Sequence, residues 1–341
     1  MSSGGRTALP DAVAALPCRA MSVPPLSVVM PVRNALPFLD ESIGSIIGQS
    51  FGDFEFVILD DASTDGSSQR LQDWAARDER IRLFHSTDPL GPVRSSHQVV
   101  EHSLAPLVAR MDGDDVAHPD RLGREIQVFD AEPEASLVGT LHDVIDARSL
   151  VQRGLERWPL VRGSATPPFG HSSIMFRREA FDRVGGYRVG TEYWEDIDLY
   201  ARLSTAGRIF VIPQALLSHR YSSGGTRYKA DAAQLDAAYT RMSARHSGRT
   251  DTQEAPIPPA VFVQSGSPRL WAGERPRVLR RLLQARNRRW SLTYAKVLAW
   301  AVWGEASPKS LRLVLRAAAG LRERRVPAEV KRARWVEWRP R

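Results

Sequence analysis

Thiols are almost missing from this chain: Cys18 is the single cysteine in 341 residues, so neither an internal disulfide framework nor a thiolate metal cage can form. A reducing compartment, the cytoplasm, is the setting this implies. Long apolar runs are missing too. The longest candidate, Trp290–Trp303, falls short of the roughly 18 residues that span a bilayer and carries Lys296 inside it. The first residues place Pro10, Asp11 and Pro17 where a secretory leader needs an unbroken apolar stretch, so residues 1–24 read as a mobile tail. No internal repeat is visible. There is no Walker loop, no G-x-G-x-x-G behind a strand and no H-E-x-x-H, and these absences remove several common enzyme classes.

What is present, 43% apolar and 25% charged residues, describes a globular chain that can bury one large core or two modest ones. The net charge of +8 conceals a division, because residues 267–341 carry +15 and residues 1–266 carry −7. Regions of opposite sign imply different partners. A Pro-rich stretch, EAPIPPAV (254–261), lies between them. The chain therefore divides into the tail, an α/β domain at 25–250, a linker at 251–266 and a basic, Trp-rich helical region at 267–341.

From Leu26 short β-branched runs alternate with amphipathic stretches: LSVVM (26–30), 37–49, FEFVIL (54–59), 67–77 and RIRLFH (80–85). That order predicts βαβαβ, a parallel sheet covered by helices. APLVARM (105–111) and ASLVGTL (135–141) extend it, with a helix over 119–132 between them. Residues 150–170 read as a connection or flap. HSSIMF (171–176) reads as a strand, and 177–186 and 194–207 as helices. Helical periodicity returns from about 227 to 247, and again over 276–291 and 308–325.

Three acidic clusters can carry chemistry. Asp60 and Asp61 fall at the carboxyl end of a strand, where acids can bind a base or ribose, and Asp65 and Ser67 suit the start of the next helix. RMDGDD (110–115) ends an apolar strand in three carboxylates within four residues, which repel unless something cationic neutralises them. Hard divalent cations, Mn²⁺ or Mg²⁺, take one or two carboxylates plus substrate phosphates, and Asp112 and Asp114 suit that role. An EF-hand is excluded, since the later oxygen ligands are missing. The third cluster, YWEDIDLYARL (193–203), sets Glu195 and Asp196 at a helix start beside aromatic rings, a setting for a general base.

PVRN (31–34), Glu41-Ser42-Ile43, Gln49-Ser50, DDASTDGS, MDGDD, HPDRL (118–122), GGY (185–187) and EDIDLYARL resemble, in that order, the family 2 glycosyltransferases over about residues 25–227. The resemblance implies a GT-A-type fold, a single Rossmann-like α/β domain with a mostly parallel central sheet. It also implies a nucleotide-diphosphate sugar donor, a divalent cation (Mn²⁺ or Mg²⁺) and inversion by direct displacement. Carried over by position, Pro31, Arg33, Asn34, Asp60 and Asp61 would lie near the nucleobase, with uracil and hence a UDP-sugar favoured. Asp112 would lie by the ribose and share the metal site with Asp114. Asp196 resembles the base that deprotonates the acceptor hydroxyl, and Glu195 would support or orient the acceptor. The chain departs from the family at Arg33, where an aromatic residue is common, and at 91–98, where an asparagine often stands near His97. In SHRYSSGGT (218–226) the position of the usual metal-site histidine holds Ser222. Whether His219 replaces it is open, and Arg220 is read as a diphosphate contact.

Six of the nine tryptophans follow residue 270, among Arg-rich helical stretches. That composition suits an amphipathic surface on anionic lipid at the inner face of the cytoplasmic membrane, with a glycan or lipid-linked acceptor. The alternative is that the region packs on the catalytic domain or forms a subunit interface. Basic and aromatic residues also suit nucleic acid, but nothing in residues 1–266 supports that partner, and none is expected. A non-catalytic nucleotide- or glycan-binding module, or a nucleotidyltransferase on a related fold, are the rival readings of the whole, against a transferase of surface polysaccharide biosynthesis.

Overall fold

The computed structural model describes residues 23–151, 169–220, 241, 246 and 334–338. The expected βαβαβ opening is there. Strands β1 (Leu26–Val32), β2 (Glu55–Asp61) and β3 (Ile81–Ser86) run parallel, joined by α1 (Leu36–Ile47) and α2 (Ser67–Ala75). Strand β4 (Leu107–Arg110) lies on the other side of β1, also parallel. The sheet thus grows first to one side of β1 and then to the other. In open α/β sheets ligands sit beyond the carboxyl ends of the strands at such a switch.

β2 is buried along its whole length and β1 at every residue but Pro31, as strands covered on both faces must be. Their side chains alternate between two apolar clusters: Val28, Met30, Phe56 and Ile58 join one, Val29, Val57 and Leu59 the other. Helix α1 buries Leu39, Ser42, Ile43 and Ile46, a single stripe at helical spacing, and has a proline in its first turn, where no intrahelical donor is needed.

Beyond β4 the sheet becomes mixed. β7 (Ile174–Arg177) runs antiparallel to β4 and to β6 (Ala135–Ile145). β8 (Arg208–Arg220) is parallel to β6, and the short β5 (Val116–Ala117) is antiparallel to β8. The order is β3-β2-β1-β4-β7-β6-β8-β5. Helices α3 (Pro92–Glu101), α4 (Arg121–Ala131), α5 (Arg178–Arg183) and α6 (Glu195–Ala206) complete the layers.

Two elements escape a reading by hydrophobic period. The buried face of α3 mixes Ser95 and Ser96 with Val93, Val99 and Val100, so its inward positions are not all apolar. β8 carries Pro213 and Gln214 in its middle, and its register against β6 shifts twice between Thr140 and His142.

One expectation needs correcting at the C-terminus. Val336–Trp338 is not helical; it forms β9, antiparallel to β8 at Val211, Phe210 and Ile209. Trp338 is buried, and the Trp335 indole N–H donates to Glu132 at 3.1 Å. These two tryptophans therefore face the α/β domain and not a lipid surface. Residues 152–168 of the expected flap, Ser222, the linker and nearly all of the helical readings at 227–247 and 267–333 lie outside the described residues. No helix among the described residues is long and apolar enough to cross a membrane.

Candidate active site

After β4 the chain turns through Met111–Asp115, and the loop is held from several directions. The Ser42 hydroxyl, on α1, donates to the Asp112 carbonyl at 2.7 Å. Arg220 Nε, at the end of β8, donates to the Asp114 carbonyl at 2.7 Å. Gly113 passes so close to the β1–α1 turn that a Cβ would lie 3.2 Å from that of Ala35. Asp115 is wholly buried; it accepts the Arg220 backbone N–H at 2.8 Å and faces His219 Nδ1 at 3.1 Å.

The three carboxylates of this loop live in different fields. Asp112 accepts from Arg110 at 2.6 Å and from the Ser172 hydroxyl. Burial would raise its carboxyl, but Arg110, with His171 and Ser172 behind it, holds it well below the ordinary range. Asp114 has the opposite balance: burial, then the Asp115 and Asp112 charges, push it up to about 7. Asp115 pulls His219 up to about 9, while burial and His219 push the adjacent His142 down to about 4. His219 is thus an imidazolium that donates to Asp115 near neutral pH.

Helix α6 supplies the opposite wall. Glu195 and Asp196 stand in its first turn, and the Tyr187 phenol lies in the combined field of Arg110, Glu195, Asp112 and Asp196. Tyr187 also meets His171 Nε2 at 2.6 Å. The preceding Gly186, with φ +58, passes close to His97, and a notional Cβ there would lie only 2.5 Å from that ring. Asp198, a third acid on α6, is buried against Arg202 and the His246 ring, so it is internal to the helix support.

At the carboxyl ends of β1 and β2, Asp61 accepts the backbone N–H groups of Leu90 and Gly91, at 2.6 and 3.1 Å, with the half-exposed Arg33 guanidinium 3.9 Å away. Asp60 accepts from Ser63 N–H at 3.2 Å and Ser68, and His85 lies 3.4 Å off. Asn34 has φ +54 and accepts the Thr64 N–H at 2.8 Å, stitching the two loops together. Pro31 is partly buried within β1.

The model of the family described as glycosyl transferase family 2 matches residues 27–188. EpsE of Bacillus subtilis, named as a glycosyltransferase, is 32% identical over 225 residues, covering 64% of this chain and 80% of EpsE. The chain belongs to family 2 of the glycosyltransferases. The O-antigen biosynthesis protein RfbC of Myxococcus xanthus is 29% identical over 301 residues, 82% of this chain but only 23% of RfbC. Among solved structures, the mannosyltransferase PcManGT of Pyrobaculum calidifontis, in complex with GDP-Man and Mn²⁺, superposes with a TM-score of 0.55 at 18% identity, covering 89% of both chains. TarS (1–349) of S. aureus in complex with UDP-GlcNAc gives 0.54 at 15% identity, covering 86% of this chain and 84% of that one. This glycosyltransferase has the GT-A-type fold that its sequence motifs imply.

Among the described residues no three His, Cys, Asp or Glu side chains are grouped to hold a metal ion by themselves. Asp114 is a single carboxylate whose ionisation is opposed by burial and by two neighbouring acids, a donor that suits a hard dication taking one protein carboxylate. Arg220 differs from expectation. Its side chain is fully buried, donating to Glu41 at 2.6 Å, to the Asp146 carbonyl at 2.8 Å and to Ser149 at 3.0 Å, so its fork is consumed inside the protein. Asp115, Arg110, His171, Ser172 and Tyr187 join the site only in the fold. Asp115 stood in the quoted MDGDD and Tyr187 in GGY, but no local pattern reveals their partners. Gln49 explains another motif fragment: it ties α1 to the His118 carbonyl at 2.7 Å and to the Leu122 N–H at 3.0 Å.

Proposed function

We propose that this chain is an inverting, metal-dependent glycosyltransferase that moves a sugar from a nucleotide-diphosphate donor, UDP-sugar favoured, to a hydroxyl of a glycan or lipid-linked acceptor. The reading is supported above all by Asp114, a carboxylate crowded by two others at the switch point of the sheet. Asp61 and Arg33, with Pro31, Asn34 and Asp60 framing them, would receive the nucleobase. Asp112, kept ionised by Arg110, would accept a ribose hydroxyl, and Asp114 would hold a divalent cation, Mn²⁺ or Mg²⁺. That cation, when bound, neutralises the charge developing on the departing diphosphate. Asp196 would take the proton from the acceptor oxygen as it attacks, with Glu195 orienting the acceptor. No covalent intermediate is needed.

The names of similar proteins point to surface polysaccharides: RfbC to O-antigen, and a B. subtilis relative, TuaG, to teichuronic acid, at 31% identity over 104 residues. Bound GDP-Man in one structural neighbour and UDP-GlcNAc in another support a nucleotide-sugar donor without choosing the base. We assign the basic region 267–333 to an anionic membrane surface, which would keep the enzyme cytoplasmic and peripheral. Replacing its arginines at 275–289 with glutamine should lower co-sedimentation with anionic vesicles, and added salt should do the same to the wild type; equal sedimentation of both proteins removes the membrane assignment.

The deciding experiment is a panel of nucleotide sugars with Mn²⁺, Mg²⁺ or EDTA, scored by nucleoside diphosphate release. Metal-dependent release from one donor supports the reading and names the sugar. Release of inorganic diphosphate would instead indicate a nucleotidyltransferase, and no release with no nucleotide binding a binding module.

A further inference from the structure

Helix α6 carries Glu195 and Asp196 but is not held by the sheet alone. The chain returns to it at widely separated points. At Asp198 the His246 ring meets the buried carboxylate at 2.9 Å, while Arg202, one turn on, takes its other oxygen. Arg202 also donates to the Val184 carbonyl at 2.9 Å, fastening the helix to the end of α5. Arg241 reaches the Gly190 carbonyl at 3.5 Å, in the loop that feeds α6.

The other return is β9. Its backbone pairs with β8 at Ile209, Phe210 and Val211, and Glu337 meets Arg208 at 3.0 Å, which fixes its register. The register delivers Trp338 into the apolar cluster beneath α6. Its ring meets Phe169 edge-on at 6.1 Å, and Phe169 in turn meets Tyr200 edge-on at 5.1 Å. Phe169 lies flat on β6 because Gly139 has no side chain; a Cβ there would be 2.4 Å from the ring. Tyr200 sits four residues after Asp196, on the same face of the helix. A chain of edge-on aromatic contacts therefore runs from β9 to the turn that bears the acids.

Resting on the reading of Asp196 as the acceptor's base, we propose that Trp338 and His246 are positioning residues for sugar transfer. They set the rotation and depth of α6 from outside the site. Trp338 reaches α6 through these ring contacts, and His246 meets it directly at Asp198. Sheet order makes the proposal specific. β8 and β9 are separated from β1 and β2, whose ends carry Arg33 and Asp61, by β4, β7 and β6. Loss of the brace should therefore disturb the acceptor side and leave the nucleotide side alone.

The test is Trp338→Ala, Trp338→Phe and His246→Ala in the full chain, assayed for transfer, for nucleoside diphosphate affinity and for amide hydrogen exchange. The alanine variants should lose about ten- to a hundredfold in kcat, the scale of a misplacement of about 1 Å. Their affinity for UDP or GDP should stay at the wild-type value. Trp338→Phe, which keeps an aromatic ring in that chain of contacts, should recover most of kcat. Amides of α6 should exchange faster in the alanine variants while those of α3 do not change. Unchanged kcat, nucleotide affinity falling in step with kcat, or exchange rising throughout the domain would overturn the proposal. If Trp338→Ala does not fold, His246→Ala, at a part-exposed ring, carries the same test. The exchange arm needs no turnover, so a failure of the brace can be told from a failure of the base assignment, which Asp196→Asn tests by itself.

Discussion

Asp115 and His219 face each other across the junction of the acidic loop and β8, the ring Nδ1 lying 3.1 Å from one carboxylate oxygen and 3.2 Å from the other. The contact spans 104 residues of chain. With the Arg220 N–H on the same carboxylate, it removes the freedom that Gly113 would otherwise give the loop. Asp115 is in this sense the anchor, and Asp114 is the group it aims.

Asp114→Asn should remove metal-dependent transfer while leaving the fold intact. The expected loss is about a thousandfold in kcat, roughly 4 kcal/mol of transition-state stabilisation. Steady-state kinetics with Mn²⁺ and a thermal melt in EDTA check both halves. Turnover that survives the change rules out Asp114 as the metal ligand.

Asp115→Ala should cost stability as well as rate, although Asp115 touches no substrate in the proposed mechanism. The Arg220 N–H and the His219 ring would lose their partner, at a cost of about 2 kcal/mol. Urea unfolding measures this. A variant as stable as the wild type would mean that water replaces the carboxylate without loss.

Arg220→Ala separates a clamp from a phosphate contact. With its guanidinium buried against Glu41, Asp146 and Ser149, its loss should lower the unfolding free energy by about 3 kcal/mol. Nucleotide affinity measured on the folded fraction in EDTA, where Asp114 has no cation to hold, should change little. Weaker nucleotide binding at undiminished stability would restore the diphosphate role.

Glu125 gives a pH signature. It is buried with Arg121, and burial pushes it up to about 7 from an ordinary 4.5, the Arg121 charge working against the shift. Native protein then keeps a proton that the unfolded chain has released, so this group's contribution to stability falls as pH rises from about 4.5 to about 7. Glu125→Gln does not titrate. Its melting temperature relative to wild type should climb between about pH 5 and about pH 8. A flat difference would show that Arg121 keeps Glu125 ionised throughout.

Much of the sheet was legible along the chain because buried parallel strands are short β-branched runs, and β1, β2, β3 and β4 each have that form. The acids at their ends were legible for the same reason: a strand that stops in Asp60-Asp61 or Asp112-Gly113-Asp114-Asp115 announces where the crevice lies. α3, β8 and β9 were hidden. Serines on the buried face weaken the apolar signal of α3, a proline interrupts β8 in mid-strand, and β9 is only three residues long and lies beyond a long basic stretch.

By itself the sequence determined the α/β class, the family and the three acidic clusters, since all of these are patterns of neighbours along the chain. The separate duties of adjacent carboxylates were decided only in three dimensions. Asp112 is held by Arg110 and by Ser172, 60 residues away; Asp115 is held by His219 and Arg220, more than 100 residues away; Asp114, between them, is left crowded by charge. The physical reason is that a loop has no period to aim its side chains. Their direction and ionisation come from whichever distant segments the fold brings against them.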